Sequence, residues 1–201
     1  MNVRLNYKLN FTAGIYFNDT LSMNNYTLRI WMITNTHDAT SQNIAFARLK
    51  YFIYSELDST IFINKENVDQ CTALAKAGLK ITTMPGDPVD QLIGIMLYYK
   101  LSAIMEGRIA VIETELSSEL GEGLVYLHSE HENPEINEHP DWWTSSDLLH
   151  CDTRLLVNDK IVAIHHTNAW RELDLGWPDV GNPEPEDNTV VFADFKQDDP
   201  K

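Results

Sequence analysis

The chain has 201 residues, which is enough to bury a self-sufficient core in one domain. It contains two cysteines, Cys71 and Cys151, so it lacks a disulfide framework and fits a reducing compartment. The first twenty residues alternate polar and apolar types, unlike a signal peptide, and no later apolar run approaches membrane-spanning length. We therefore expect a cytoplasmic protein that does not contact a membrane.

The formal net charge of −15 is concentrated in the C-terminal part of the sequence. Residues 1–118 hold 11 acidic and 10 basic residues, whereas residues 119–201 hold 19 acidic and 5 basic residues. Because binding to phosphates depends on basic side chains, direct nucleic-acid binding by the acidic half is disfavoured. A basic protein surface or a cation fits this charge, which also promotes solubility.

Residues 2–34 show the period-two alternation of a strand with one wet face, interrupted by the turn-rich segment FNDTLSMNN at 17–25. This pattern predicts a long antiparallel hairpin. The period then changes to that of an amphipathic helix within 36–59, and Asp38, Thr40 or Ser41 is available as its N-cap.

A short buried strand is predicted at 59–64, followed by a helix that Gly78 ends and by another strand at 80–85. The clearest local signal is the helix within 86–108, with Asp87 as N-cap, Pro88 at the first helical position and Gly107 as the stop. Its apolar residues cover most of the circumference, which predicts a central buried helix.

Paired strands are predicted at 108–120 and 123–128, a hairpin at 153–170 and a last strand at 189–195. The order predicts an α+β fold with a mixed, mainly antiparallel sheet, an N-terminal hairpin and about three helices. We expect residues 1–118 to form the core and the acidic half, 119–201, to belong to the same domain. An irregular loop at 128–150 and a disordered end are also expected.

Histidines in the acidic half supply enough ligands for a divalent metal such as zinc. A metal-dependent hydrolase would use four of these histidines as ligands, with Asp141 or Glu130 as a further ligand or base. Cys151 and His165 lie nearby in sequence. The spacing matches no established zinc motif, so it favours a hydrated loop without a cofactor. The candidate ligands are His128, His131, His139 and His166.

The same region carries candidate contacts for a protein partner. The adjacent indoles of Trp142 and Trp143 either pack on the core, which we favour, or form an exposed anchor of the kind found in binding hot spots. For Trp170 and Trp177 we also expect packing. The candidate partner-binding residues are Trp142, Trp143, Glu130, Glu132, Glu135, Glu138 and Asp141.

Other constellations favour structural roles. Asp87 and Asp90 fit the start of a helix, and Glu113 with Glu115 fits a solvated strand face better than a cation site. No GxSxG elbow and no phosphate-binding glycine loop occurs, so no catalytic residue is assigned. Basic and aromatic residues interleave near Arg48, but the helical period predicts that these aromatics belong to the core.

The segments QNIAFARLKYFIYSELDSTIFIN, 42–64, and PGDPVDQLIGIMLYYKLSAIMEGR, 85–108, carry a family resemblance. They resemble an uncharacterised family of small proteins in T4-like tailed phages, including phages of marine cyanobacteria. The resemblance extends over about residues 25–128 and rests on core positions. It implies a phage origin, and hence a place in the host cytoplasm, and it brings no activity and no functional residues.

These observations predict an accessory protein that binds a host or phage protein through its acidic surface, in host takeover or anti-defence. A metal-dependent hydrolase is the enzymatic alternative. A virion or assembly component is the third, because the edges of the N-terminal hairpin could pair between subunits in a homo-oligomer.

Overall fold

The computed structural model describes residues 4–34, 38–129, 141–148 and 169–178. Its sheet confirms the α+β class: strands β1–β2, β2–β5 and β5–β6 are antiparallel, whereas β1–β3 and β3–β4 are parallel. The strands are β1 (Arg4–Phe17), β2 (Thr20–Thr34), β3 (Ile61–Asn64), β4 (Ile81–Met84), β5 (Ile109–Ser118) and β6 (Val125–Ser129), in the order β4-β3-β1-β2-β5-β6.

The helices pack against the sheet, and the buried face of the sheet includes Leu9, Leu28 and Leu116. The opposite face is polar, as at Lys8 and Arg29, so each long strand has one wet face. The helices are α1 (Ala39–Tyr51), which continues as a π-helical segment over Phe52–Leu57, then α2 (Val68–Lys76), α3 (Asp90–Met105) and α4 (Ala169–Glu172).

The β1–β2 hairpin is longer than the turn-rich segment 17–25 predicts. Only Asn18 and Asp19 form the turn, with φ of 48° and 57°, while Thr20 already pairs with Phe17. Two consecutive left-handed residues match the twist of the flanking strands, and Asn and Asp tolerate this conformation. The strands therefore continue to the tip instead of opening into a loop.

Helix α3 is the buried central helix that the sequence predicts, since every residue from Ile93 to Leu101 is buried. Its start corrects the prediction: Val89 is the N-cap and makes no side-chain cap hydrogen bond, and Asp90 is the first helical residue. Asp87 instead accepts a hydrogen bond from Asn64 Nδ2 at 3.1 Å.

The caps of the other helices follow the sequence. Asp38 caps α1 by accepting from the backbone N–H groups of Thr40 at 3.1 Å and Ser41 at 2.9 Å. A hydrogen bond from the Ser41 hydroxyl, followed by these two backbone bonds, lowers the pKa of Asp38. Gly78 follows α2 with φ of 77°, the left-handed conformation expected after a helix.

None of the described helices combines the length and the apolar character needed to cross a bilayer. The predicted hairpin at 153–170 lies outside the described residues except for its last two, which are helical because they begin α4. The predicted strand at 189–195 also lies outside them.

Candidate functional site

Two C-terminal segments pack on the helices, and we name them the first strap (141–148) and the second strap (169–178). Their four tryptophans belong to the main hydrophobic core, and each is at most 6% exposed. Trp170 Nε1 donates a 2.6 Å hydrogen bond to Ser146 O, which joins the two straps. The tryptophans are Trp142 and Trp143 in the first strap and Trp170 and Trp177 in the second.

Trp142 and Trp143 pack on the core, the arrangement that the sequence favours. Their rings meet edge to face at 5.8 Å, and Trp142 Nε1 donates to Thr83 O at 2.7 Å. Burial of two indoles removes a large apolar area from water, which explains why they turn inward. These indoles are only 1 to 2% exposed, so in this fold they are not available to contact a partner.

Lys100 of α3 holds the first strap by its backbone. Its buried ammonium donates to the carbonyl oxygens of Trp142 at 3.0 Å, Ser145 at 2.9 Å and Asp147 at 2.5 Å, so each of its three N–H groups can have an acceptor. Burial lowers the pKa of Lys100 to about 7, although the charges of Asp147 and Glu56 oppose that shift. Sequence reasoning did not identify this residue.

Arg48 of α1 holds the second strap in a similar way. Its Nε donates to Leu175 O at 2.8 Å and its Nη1 to Glu106 Oε1 at 2.7 Å. The guanidinium lies over the ring of Trp177 at 4.0 Å and over that of Trp170 at 4.9 Å. Because Arg48 is buried in these contacts, it is not available to RNA.

The segment 130–140 contains four of the predicted partner-binding acids and no lysine or arginine. Its structure lies outside the described residues, but both of its flanks are fixed: Ser129 pairs with Glu113 in the sheet, and Asp141 begins the first strap. Asp141 is already engaged by Trp142 N at 2.8 Å and Lys65 Nζ at 3.4 Å. The four acids are Glu130, Glu132, Glu135 and Glu138.

His128 is the one candidate metal ligand among the four histidines that lies in the described residues, where it is buried against α3. A Cβ atom at Gly94 would lie 2.3 Å from His128 Nε2, so the ring occupies the space that this glycine leaves. Within ranges 4–34, 38–129, 141–148 and 169–178, no three His, Cys, Asp or Glu side chains are placed to hold a metal. Glu130, Cys151 and the remaining histidines, His131, His139, His165 and His166, lie outside them.

The carboxylate pairs have structural contacts, although Asp87 is not the helix cap that the sequence predicts and Glu115 is half-buried rather than solvated. Glu115 accepts from Arg29 Nη1 and Trp31 Nε1, both at 2.9 Å, which occupies its two oxygens. Asp90 accepts from the Ser118 hydroxyl and ties α3 to the end of β5. The thiol of Cys71 is buried, and burial raises its pKa, so it is a poor nucleophile.

Neither a protein-family model nor a curated protein sequence matches the chain. Among solved structures, an uncharacterised protein of Wolinella succinogenes is similar, with 12% identity and a TM-score of 0.46 over 65% of this chain and 99% of that one. A catalytic residue mutant of Plasmodium vivax 6-pyruvoyltetrahydropterin synthase is similar at 12% identity and a TM-score of 0.42, over 64% of this chain and 97% of that one.

The 6-pyruvoyl tetrahydropterin synthase of Plasmodium falciparum is similar at 13% identity and a TM-score of 0.41, over 63% of this chain and 96% of that one.

Proposed function

We propose that the protein is a phage-like accessory protein that binds a host or phage protein with a basic surface, in host takeover or anti-defence. The observation that carries this proposal is the segment 130–140, which holds four glutamates and no base between two fixed flanks. A segment whose two ends are fixed has fewer conformations to lose on binding than a free tail of the same composition.

The charge of the rest of the acidic half supports the same partner. Residues 119–201 carry a net charge of −14, from 19 acidic and 5 basic residues. A surface of one sign accelerates association with a surface of the opposite sign and selects against acidic partners.

Capture from a host lysate at several salt concentrations tests the proposal. The Debye length falls from about 10 Å at 0.1 M salt to about 3 Å at 1 M, so we expect a partner retained at low salt to be released at high salt. Absence of any retained protein at low salt would overturn the proposal.

A pair of variants with equal charge changes sharpens this test. The double variant Glu132→Gln and Glu135→Gln should weaken capture, whereas Glu66→Gln with Asp69→Asn, on the surface near α2, should leave it unchanged. Equal losses in both variants would show that total charge, and not the segment 130–140, determines binding.

A further inference from the structure

A cleft of about 610 Å³ opens where the β1–β2 tip, the start of α3 and the turn between β5 and β6 meet. Its volume lies within the usual range for pockets that hold ligands. Four of the eleven exposed large apolar side chains in the described ranges line this one cleft, and they are 42 to 60% exposed. These rim residues are Phe17, Val89, Leu120 and Leu124.

Such a concentration of apolar surface is unusual for a fold with a complete core. Single exposed apolar residues are normal on soluble proteins, but a contiguous group around a concave surface marks an interaction site. The core does not need these four side chains, because none of them belongs to the buried clusters of the described residues.

The charged residues of the cleft are all acidic. Among the residues that the structure describes, Asp90 and Glu122 line it, and no lysine or arginine does. Neither carboxylate forms an ion pair with a basic residue in the part of the chain that the structure describes. The charge of Asp90 also raises the pKa of Tyr26 next to it, after the larger effect of burial, as expected where no cation offsets that charge.

We propose that this cleft receives a segment of the protein partner that carries an apolar side chain next to a lysine or arginine. The apolar side chain covers the four rim residues, and the cation lies near Asp90 and Glu122. This inference rests on the proposed function, since it assigns one contact of the basic partner to described residues of the folded body in addition to the segment 130–140.

Fluorescein-labelled hexapeptides provide defined probes for the cleft. A peptide of alternating leucine and lysine should bind at least ten times more tightly, measured by fluorescence anisotropy, than one of alternating serine and lysine or of leucine and glutamate. Equal affinity of the serine–lysine and leucine–lysine peptides would mean that charge alone binds them. Preference for the leucine–glutamate peptide would contradict the role of the acidic residues that line the cleft. Either result overturns the proposal.

Variants of exposed residues locate the binding. Leu120→Ser and Leu124→Ser should each weaken binding of the leucine–lysine peptide about five-fold, and Glu122→Gln should weaken it less. Leu79→Ser is the matched control, because Leu79 is similarly exposed but follows α2 outside the cleft. Unchanged affinity in both rim variants overturns the proposal.

Three further outcomes separate this proposal from the others. If the variant with Glu132→Gln and Glu135→Gln loses peptide binding while both rim variants keep it, the cleft proposal fails and the proposed function stands. If the rim variants lose peptide binding but the wild-type protein captures no partner, the proposed function fails. A dimer in sedimentation that Leu124→Ser dissociates would assign the cleft to a second copy and overturn the proposal.

Discussion

Lys100 Nζ donates a 3.0 Å hydrogen bond to the backbone oxygen of Trp142, so a charge on the central helix holds the backbone of the first strap. The contact resembles the coordination of a metal ion by backbone carbonyls, with an ammonium in place of the ion. A neutral amine has only two N–H groups for the three carbonyl oxygens around it. The protonation of Lys100 and the docking of the strap are therefore linked.

Burial of the ammonium has the larger effect and the opposite sign, because it lowers the pKa of Lys100, and we expect it to dominate the pH dependence of stability. The pKa of Lys100 is about 7 in the fold, below its ordinary value of 10.5, so between these values the unfolded chain binds more protons than the folded one. Stability from this residue therefore rises with pH from about 7 towards 10.5, by at most about 1.4 kcal/mol per pH unit, and is constant below pH 7.

Urea unfolding of wild type and Lys100→Met at pH 6, 7.5 and 9 measures this effect, because the other titrating groups are common to both proteins. The wild type should gain free energy of unfolding relative to the variant between pH 7.5 and pH 9. A difference that stays constant over this interval would contradict the expected pKa.

Arg48 should contribute more to stability than a surface cation. Replacement by methionine removes the donor to Leu175 O and to Glu106 Oε1, so we expect Arg48→Met to lower the free energy of unfolding by about 2 to 4 kcal/mol. The tryptophan fluorescence should also shift to the red as the second strap loosens. Lys50→Met, at an exposed position of the same helix, is the control and should change neither quantity.

The effect of Gly94→Ala on stability should have opposite signs in the presence and absence of the His128 side chain. In the wild-type background, Gly94→Ala places a methyl group 2.3 Å from His128 Nε2, and we expect a net loss of stability of about 1 to 3 kcal/mol. In the His128→Ala background that overlap is gone, and the same change should gain about 0.5 to 1 kcal/mol through helix propensity. A double-mutant cycle that finds the same sign in both backgrounds would contradict the packing described here.

Metal content tests the hydrolase alternative. We expect the untagged protein to contain no stoichiometric zinc or manganese and to keep its melting temperature in chelator, because His128 packs against α3. Elemental analysis and thermal unfolding measure both properties. Stoichiometric metal that His131→Ala and His139→Ala remove would instead support the hydrolase.

The elements predicted from sequence are those determined by local pattern. The period of apolar residues located both long strands and α3, and the short-range chemistry of Asp38 and Gly78 set two helix ends correctly. Asp87 is not the cap, since α3 begins at Asp90 after Val89, and its carboxylate accepts instead from Asn64, which lies 23 positions earlier in the chain. A contact of that range leaves no signal in a local window.

The straps show the same limit for the candidate site. Their tryptophans could be expected to pack, but the sequence could not show that they pack over Arg48 and Lys100. A signal for Lys100 was present, because Met96 and Ile104, one turn before and after it, are apolar and α3 is apolar on every side. A lysine in such a helix must either be buried or prevent the helix from packing on all sides. The acceptors of Lys100 lie about 45 positions away, so the sequence could not identify them.

The order of the straps in the chain has a consequence during synthesis. A ribosome completes the whole described sheet by Ser129, before it has made any of the four strap tryptophans. Until then α1 and α3 lack the cover that the straps provide. The nascent protein exposes the apolar surface of these helices, and the ammonium of Lys100 lacks its carbonyl acceptors. We expect products truncated after β6 to aggregate or to bind chaperones. Cellular quality control would then respond to whether the strap tryptophans have packed on the helices.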